Sequence, residues 1–367
     1  MEPPIRVLVV DDSAFFRRLI GEVLTKDPSL RVAGVARDGH DAVEKVKILR
    51  PDVVTLDVNM PELNGLEALR QIMRETPTPV VMLSSLTVEG AEETIQALQD
   101  GAVDFLCKPA LTQVDGAWQQ EVIAKVKVAA RANLGRPGAA RVHGAGAAAS
   151  GRRRAGGARI VAIGTSTGGP RALQEVIPRL PRDLPVGVLV VQHMPPGFTR
   201  TLAQRLDACS SLRVKEAEHG EPIRPGTVYL APGAYHLRVG LRGEIALGQD
   251  PPIASLRPSV DALFESVAEV YGAGTVAAVL TGMGNDGTRG AGLIKRAGGW
   301  VVAEDQSTCV VYGMPRSVIE EGYADRVVPL GEVADELVRA VTPERFTGGS
   351  SFPDLSSQGG QGRPEGR

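Results

Sequence analysis

Ser166 stands in the run Gly164-Thr165-Ser166-Thr167-Gly168-Gly169-Pro170, between an apolar stretch at 159–163 and a helix-patterned stretch at 171–180. A hydroxyl on a glycine-flanked strand-to-helix corner is exposed and has backbone N–H groups beside it, which is the placement a nucleophile needs. His193, in Gln192-His193-Met194-Pro195-Pro196-Gly197-Phe198-Thr199, follows a second apolar run, and Asp286, in Leu280-Thr281-Gly282-Met283-Gly284-Asn285-Asp286-Gly287, follows a third. If these runs are parallel strands, their carboxyl ends carry Ser, His and Asp to one crevice however far apart they lie in sequence. There the His takes the Ser proton during attack and the Asp fixes the His tautomer. Gly282 and Gly284 leave the backbone at Met283 bare, so its N–H groups suit a developing oxyanion. Taken singly, each residue has a plain alternative: Ser166 as a helix N-cap or phosphate cradle, His193 as a packed polar residue, Asp286 as a turn or N-cap residue. The Ser run lacks the G-x-G-x-x-G spacing and the P-loop Lys of nucleotide sites. It satisfies G-x-S-x-G, but the order Ser, His, Asp differs from the Ser, acid, His of α/β-hydrolases.

A second constellation lies upstream. Asp11-Asp12, Asp57, Ser84-Ser85 and Lys108-Pro109 each follow a short apolar run. Three carboxylates at one sheet edge repel unless a divalent cation offsets their charge, and all-oxygen ligands with room for water suit Mg²⁺. One such Asp alone could equally cap the following helix.

The elements that must hold these residues follow from periodicity. Up to about residue 133, five β-type runs alternate with helical patterns, which predicts a doubly wound parallel sheet with helices on both faces. Residues 134–158 are rich in Gly, Ala and Arg without hydrophobic period, and read as a flexible linker containing His143 and Arg152 to Arg154. β and α patterns alternate again from 159 to 341, predicting a second, mostly parallel α/β sheet mixed with a hairpin around Arg242-Gly243. Residues 347–367 read as a disordered tail. The length, 367 residues with 43% apolar, allows two cores. A net charge of −2 with mixed signs argues against a nucleic-acid binder. Cys107, Cys209 and Cys309 are widely spaced, so reduced thiols are expected rather than disulfides or a zinc site. No basic leader and no run of about 18–20 apolar residues is present, so a cytoplasmic protein without membrane insertion is expected.

The motifs Val9-Val10-Asp11-Asp12-Ser13, Leu56-Asp57-Val58-Asn59-Met60-Pro61, Ser84-Ser85 and Phe105-Leu106-Cys107-Lys108-Pro109 together resemble a response-regulator receiver domain over about residues 4–125. The resemblance implies a flavodoxin-like (βα)5 fold, Asp57 as phospho-acceptor, Asp11 and Asp12 with Asp57 as Mg²⁺ ligands, Lys108 as phosphoryl contact, and Ser84 with Phe105 as the switch pair. Phe105 departs from the Tyr of many receivers and loses its phenolic hydrogen bond, but it can still swing between packed and exposed positions.

With Ala231-Pro232-Gly233 and Arg257-Pro258-Ser259-Val260-Asp261, the Ser, His and Asp motifs resemble the chemotaxis protein-glutamate methylesterase family over about residues 158–345. This implies Ser166, His193 and Asp286 as the triad, the Met283 amide in the oxyanion hole, and Thr165, Thr167 and Met283 lining the site. It also implies hydrolysis of glutamate γ-methyl esters on chemoreceptors, with deamidation of receptor glutamines in many members. Methyl-accepting chemoreceptors are the expected substrate, a chemotaxis histidine kinase the phosphodonor, and no cofactor is needed for the esterase step. Arg257 is a candidate for steering acidic receptor helices or, equally, a structural arginine. A monomer is expected. Rival readings are a receiver-controlled binding protein, a receiver-linked transcription factor, which would need a basic helix-turn-helix, and the same chemistry in a chemosensory system that does not control swimming.

Overall fold

The computed structural model describes residues 3–85, 87–109, 114–134 and 160–342. The expected linker beyond Leu134, with His143 and Arg152 to Arg154, and the expected tail at 347–367 lie outside the described residues.

The N-terminal module runs β1 (Ile5–Val10), α1 (Ala14–Leu24), β2 (Leu30–Ala36), α2 (Gly39–Leu49), β3 (Val53–Asp57), α3 (Gly65–Glu75), β4 (Val80–Ser84), α4 (Val88–Gln99), β5 (Asp104–Cys107) and α5 (Gly116–Ala129). Its sheet is parallel in the order β2-β1-β3-β4-β5. β3 and β4 are buried along their whole length, as strands covered by helices on both faces must be, and their runs VVTLD and VVMLS are accordingly unbroken rather than alternating. The order reverses between β1 and β3, so the crevice at their carboxyl ends receives Asp11, Asp12 and Asp57. Local signals set the helix starts. Asn64 opens α3 with a capping box, accepting the Glu67 N–H at 2.9 Å while Glu67 accepts the Asn64 N–H at 3.4 Å.

The C-terminal module follows as β6 (Ile160–Thr165), α6 (Gly169–Val176), β7 (Gly187–Gln192), α7 (Phe198–Cys209), β8 (Arg213–Glu216), β9 (Thr227–Leu230), β10 (His236–Val239), β11 (Ile245–Gly248), α8 (Val260–Tyr271), β12 (Thr275–Val279), α9 (Thr288–Arg296), β13 (Trp300–Glu304), α10 (Met314–Glu320), β14 (Arg326–Val328) and α11 (Leu330–Val341). Seven strands form one wholly parallel sheet, β14-β13-β12-β6-β7-β9-β8. The expected hairpin forms, with β10 antiparallel to β11, but as a separate sheet rather than as part of a mixed one. β8 already occupies the outer edge of β9, and β10 packs on α8 instead, where the Val239 N–H donates to Ser266 Oγ at 3.0 Å.

The two modules share apolar packing. One continuous cluster contains Met82, Ile95, Leu98 and Phe105 of the first and Phe198, Leu202 and Leu206 of the second. No helix among the described residues is long and apolar enough to cross a membrane. All three cysteines are free thiols.

Candidate active site

β12, β6 and β7 are neighbours in the middle of the C-terminal sheet, and the loops leaving their carboxyl ends carry Asp286, Ser166 and His193. Backbone hydrogen bonds lock these ends together: the Ser166 N–H donates to the Thr281 carbonyl at 3.0 Å and the His193 N–H to the Thr165 carbonyl at 3.2 Å. Gln192, the last residue of β7, ties the same corner with its side-chain amide, donating to the carbonyls of Ser166 and His193, each at 3.0 Å. Ser166 is not the N-cap of α6. That position is Gly168, in the left-handed region at φ 79°, so the hydroxyl is left free of capping duty.

His193 Nε2 lies 2.8 Å from Asp286 Oδ2, with both side chains nearly out of solvent. Asp286 does not cap its own helix, α9, whose N-cap is Gly287. It reaches instead to the start of α8: Oδ1 accepts the Ser259 hydroxyl at 2.8 Å and the Asp261 N–H at 3.0 Å, and Oδ2 also accepts the Val260 N–H at 2.6 Å. Burial pushes the Asp286 carboxyl upward, but the His193 contact and the backbone donors outweigh it and hold the group below the usual carboxylate range. With Nε2 facing the carboxylate, Nδ1 is the nitrogen free to receive a proton. Among the described residues the Ser166 hydroxyl makes no hydrogen bond to His193.

The third wall is the backbone at 281–284. A Cβ on Gly282 would meet Met314 Sδ and come within 2.9 Å of Ser166 Cβ, so only glycine allows this approach. The Gly282 N–H is used, donating to the Val311 carbonyl at 3.0 Å, whereas the Met283 N–H has no protein acceptor among the described residues. Thr165 is fully buried and donates to the Thr281 carbonyl at 2.9 Å, while the Met283 side chain is exposed. Arg257 donates to the carbonyls of Gln249 and Asp250 at 3.0 and 3.1 Å, a contact that braces its own loop.

Thr167 points away from this crevice and into the N-terminal module. Its hydroxyl donates to Asp104 Oδ2 at 2.5 Å, in a buried contact. Asp104 Oδ1 lies 3.3 Å from Lys125 Nζ, and Phe105 stacks on Phe198 with ring centroids 4.7 Å apart. Arg205 of α7 donates to the side chains of Gln96 and Gln99 and to the Glu92 carbonyl of α4, at 2.7, 2.9 and 3.1 Å. Asn133, past α5, donates its N–H to the Val310 carbonyl at 3.0 Å. Nothing in the sequence marks Asp104 or Arg205, whose partners lie far away in the chain; Gln192 stands in the His193 motif, but its tie to the Ser166 carbonyl shows only in the fold.

In the N-terminal module Asp11, Asp12 and Asp57 present carboxylate oxygens within 4.8 Å of one another. Lys108 Nζ lies 2.8 Å from both Asp11 Oδ2 and Asp57 Oδ1. Burial lifts the Asp57 carboxyl to about 6 and raises that of Asp11 as well, against the pull of Lys108. A carboxylate cluster with Asp11 and Asp57 buried and Asp12 exposed, whose charge one lysine does not fully offset, fits a hard divalent cation such as Mg²⁺. Ser84 Oγ accepts the Thr94 hydroxyl at 2.6 Å and donates to the Gly90 carbonyl at 3.1 Å, so it engages α4. Phe105 is buried rather than exposed, held against Phe198.

A parallel sheet with an acidic crevice, joined to a second parallel sheet bearing the Ser, His and Asp, defines a response regulator with an enzymatic output. The receiver-domain family matches residues 7–114, and the family described as CheB methylesterase matches residues 161–337. The protein-glutamate methylesterase/protein-glutamine glutaminase of Symbiobacterium thermophilum is 54% identical over 356 residues, covering 93% of this chain and 98% of that one. Its counterpart in Thermotoga maritima is 49% identical over 348 residues, covering 92% and 98%. The crystal structure of the Thermotoga maritima CheB methylesterase catalytic domain matches 50% of this chain and 98% of that domain, at 52% identity and a TM-score of 0.49. The chain belongs to the protein-glutamate methylesterase/protein-glutamine glutaminase family, with an N-terminal receiver and a C-terminal methylesterase module.

Proposed function

We propose that this enzyme removes γ-methyl esters from glutamates of chemoreceptors, and deamidates receptor glutamines, for adaptation in chemotaxis, under control of phosphorylation at Asp57. In this reading a receiver over 4–125 and a methylesterase module over 158–345 are connected through residues 134–158, with residues 347–367 following. The observation that carries the chemistry is the His193–Asp286 pair at 2.8 Å, on strand ends adjoining that of Ser166.

Ser166 Oγ attacks the ester carbonyl carbon while its proton passes to His193 Nδ1, and Asp286 stabilises the imidazolium through Nε2–H. The carbonyl oxygen, now anionic, faces the unpartnered Met283 N–H. The C–O bond to methoxide breaks as His193 returns the proton, and methanol leaves. Water then attacks the acyl-serine, with His193 taking its proton. The glutamate carboxylate is released and Ser166 regains its hydrogen. With glutamine the leaving group is ammonia. Thr165 and Thr167 hold the Ser166 loop from either side.

At Asp57 a carboxylate oxygen takes the phosphoryl group from a kinase phosphohistidine, the P–N bond breaking as the P–O bond forms. Mg²⁺ held by Asp11, Asp12 and Asp57 would offset charge on the phosphoryl oxygens. The new oxygens draw the Ser84 hydroxyl from Gly90 and Thr94, loosening the start of α4, and with it the Arg205 clamp and the Phe105–Phe198 and Asp104–Thr167 contacts. The receiver, packed beside the Ser166 loop, then swings off and admits substrate.

The test is methanol release from methylated chemoreceptor membranes, with and without a small phosphodonor. Release that rises with the donor, and is absent in Ser166→Ala while Asp57 still takes phosphate, is expected. Turnover retained by Ser166→Ala would remove the nucleophile assignment.

A further inference from the structure

Glu304 closes β13 and is fully buried, one strand away from the Ser166 crevice. Among the described residues no cation pairs with it. The groups packed around it are Thr281 beyond the end of β12, Thr308 and Cys309 from the loop after β13, and the neighbouring Asp305 carboxylate. Burial outweighs the hydrogen bonds to it and lifts its carboxyl to about 7, so both protonation states occur near neutral pH.

β12 and β13 pair only as far as Val279 and Ala303, which leaves the Thr281 N–H beyond the ladder. Glu304 Oε2 takes it at 2.8 Å in place of a strand carbonyl. The rest of Thr281 is equally engaged. Its carbonyl accepts the Ser166 N–H at 3.0 Å and the Thr165 hydroxyl at 2.9 Å. Its own hydroxyl donates to the Thr167 carbonyl and accepts the Val311 N–H, both at 2.9 Å. The Thr281 peptide therefore holds the main chain of Ser166 on one side and leads into Gly282 and Met283 on the other.

We propose that Glu304 is a positioning residue of the hydrolase site: through Thr281, its carboxyl group fixes the backbone that carries Ser166 and the Met283 N–H. This rests on Ser166 as nucleophile. The role is that of an acceptor, not of a charge. Thr308 Oγ1, 3.0 Å from Oε1 and anchored by the Leu330 N–H at 2.9 Å, donates to the ionised form. Toward the protonated form it accepts, turning its own proton to the Asp305 carbonyl at 3.3 Å. Oε2 keeps the Thr281 N–H in either state. Glutamine keeps an oxygen acceptor for Thr281 and, like the protonated form, turns a donor toward Thr308, whereas methionine fills the same space without an acceptor.

The full-length protein, its E304Q, E304M and S166A variants, methylated receptor membranes and a saturating phosphodonor make the test, with kcat and KM read at pH 6 and thermal unfolding recorded for each. A buried N–H left unpaired at a catalytic loop predicts kcat about 30-fold lower in E304M with KM within about twofold. E304Q should keep kcat within about threefold of the parent. Parental kcat in E304M overturns the proposal. So does a loss in E304Q as large as in E304M, or a loss in E304M that only follows its unfolded fraction. Turnover in S166A would instead overturn the nucleophile assignment and leave the Glu304 comparison readable by itself.

Discussion

Asp286 has no acceptor capacity to spare. Its two oxygens receive four donors: the Ser259 hydroxyl and Asp261 N–H at Oδ1, and the His193 ring and Val260 N–H at Oδ2. Asp286→Asn keeps the shape but must turn an amide NH₂ toward one of these donor pairs. If it faces His193, the ring is pushed toward the tautomer with hydrogen on Nδ1, which cannot take the Ser166 proton. If it faces Ser259 and Asp261, the start of α8 loses its acceptor. The expected outcome is a fall in kcat of about 10³-fold or more with a loss of about 1–3 kcal/mol in stability, measured by methanol release and thermal denaturation. Parental activity in Asp286→Asn would show that His193 needs no carboxylate.

The corner between β6 and α6 is where an element, rather than a side chain, does the positioning. Gly169 sits in the first turn of α6, and its N–H donates to the Ser166 carbonyl at 2.8 Å. A Cβ there would run into Gln192 Oε1 and come within 2.5 Å of Thr165 Oγ1. Gln192 would have to leave the carbonyls of Ser166 and His193, separating the ends of β6 and β7. Gly169→Ala should therefore cost about 1–3 kcal/mol by overpacking and lower kcat, although alanine is by itself the better helix former. An equal or higher unfolding midpoint with full activity would mean that the corner has slack.

At the scale of the molecule, the two modules meet through a shared apolar cluster with polar contacts at its edge. Arg205 makes three hydrogen bonds to α4, and Phe105 and Phe198 stack beside them. Removing the guanidinium by Arg205→Ala takes away partly solvated hydrogen bonds to a neutral partner, a change of about 1–2 kcal/mol in the closed state. Basal methanol release without phosphodonor should rise about 5–30-fold, and the donor should add correspondingly less. Unchanged basal activity would show that the α4–α7 contact does not hold the enzyme shut.

Sequence by itself determined the strand-ending motifs, the alternation of β and α runs, and the family to which both modules belong. Those features are local: a strand that ends in glycine and polar residues is legible from its own text, and topology then carries its last residue to the sheet's carboxyl edge. Only the tertiary structure decided which oxygen of Asp286 meets His193, that Thr167 faces Asp104 of the receiver, that Gln192 and Glu304 brace the site, and that the hairpin stands outside a wholly parallel sheet. The physical reason is that a side chain's partner is set by packing between elements far apart in the chain. A glutamate at the end of β13 looks like any other until the ladder beside it stops short and leaves a backbone N–H for it to accept.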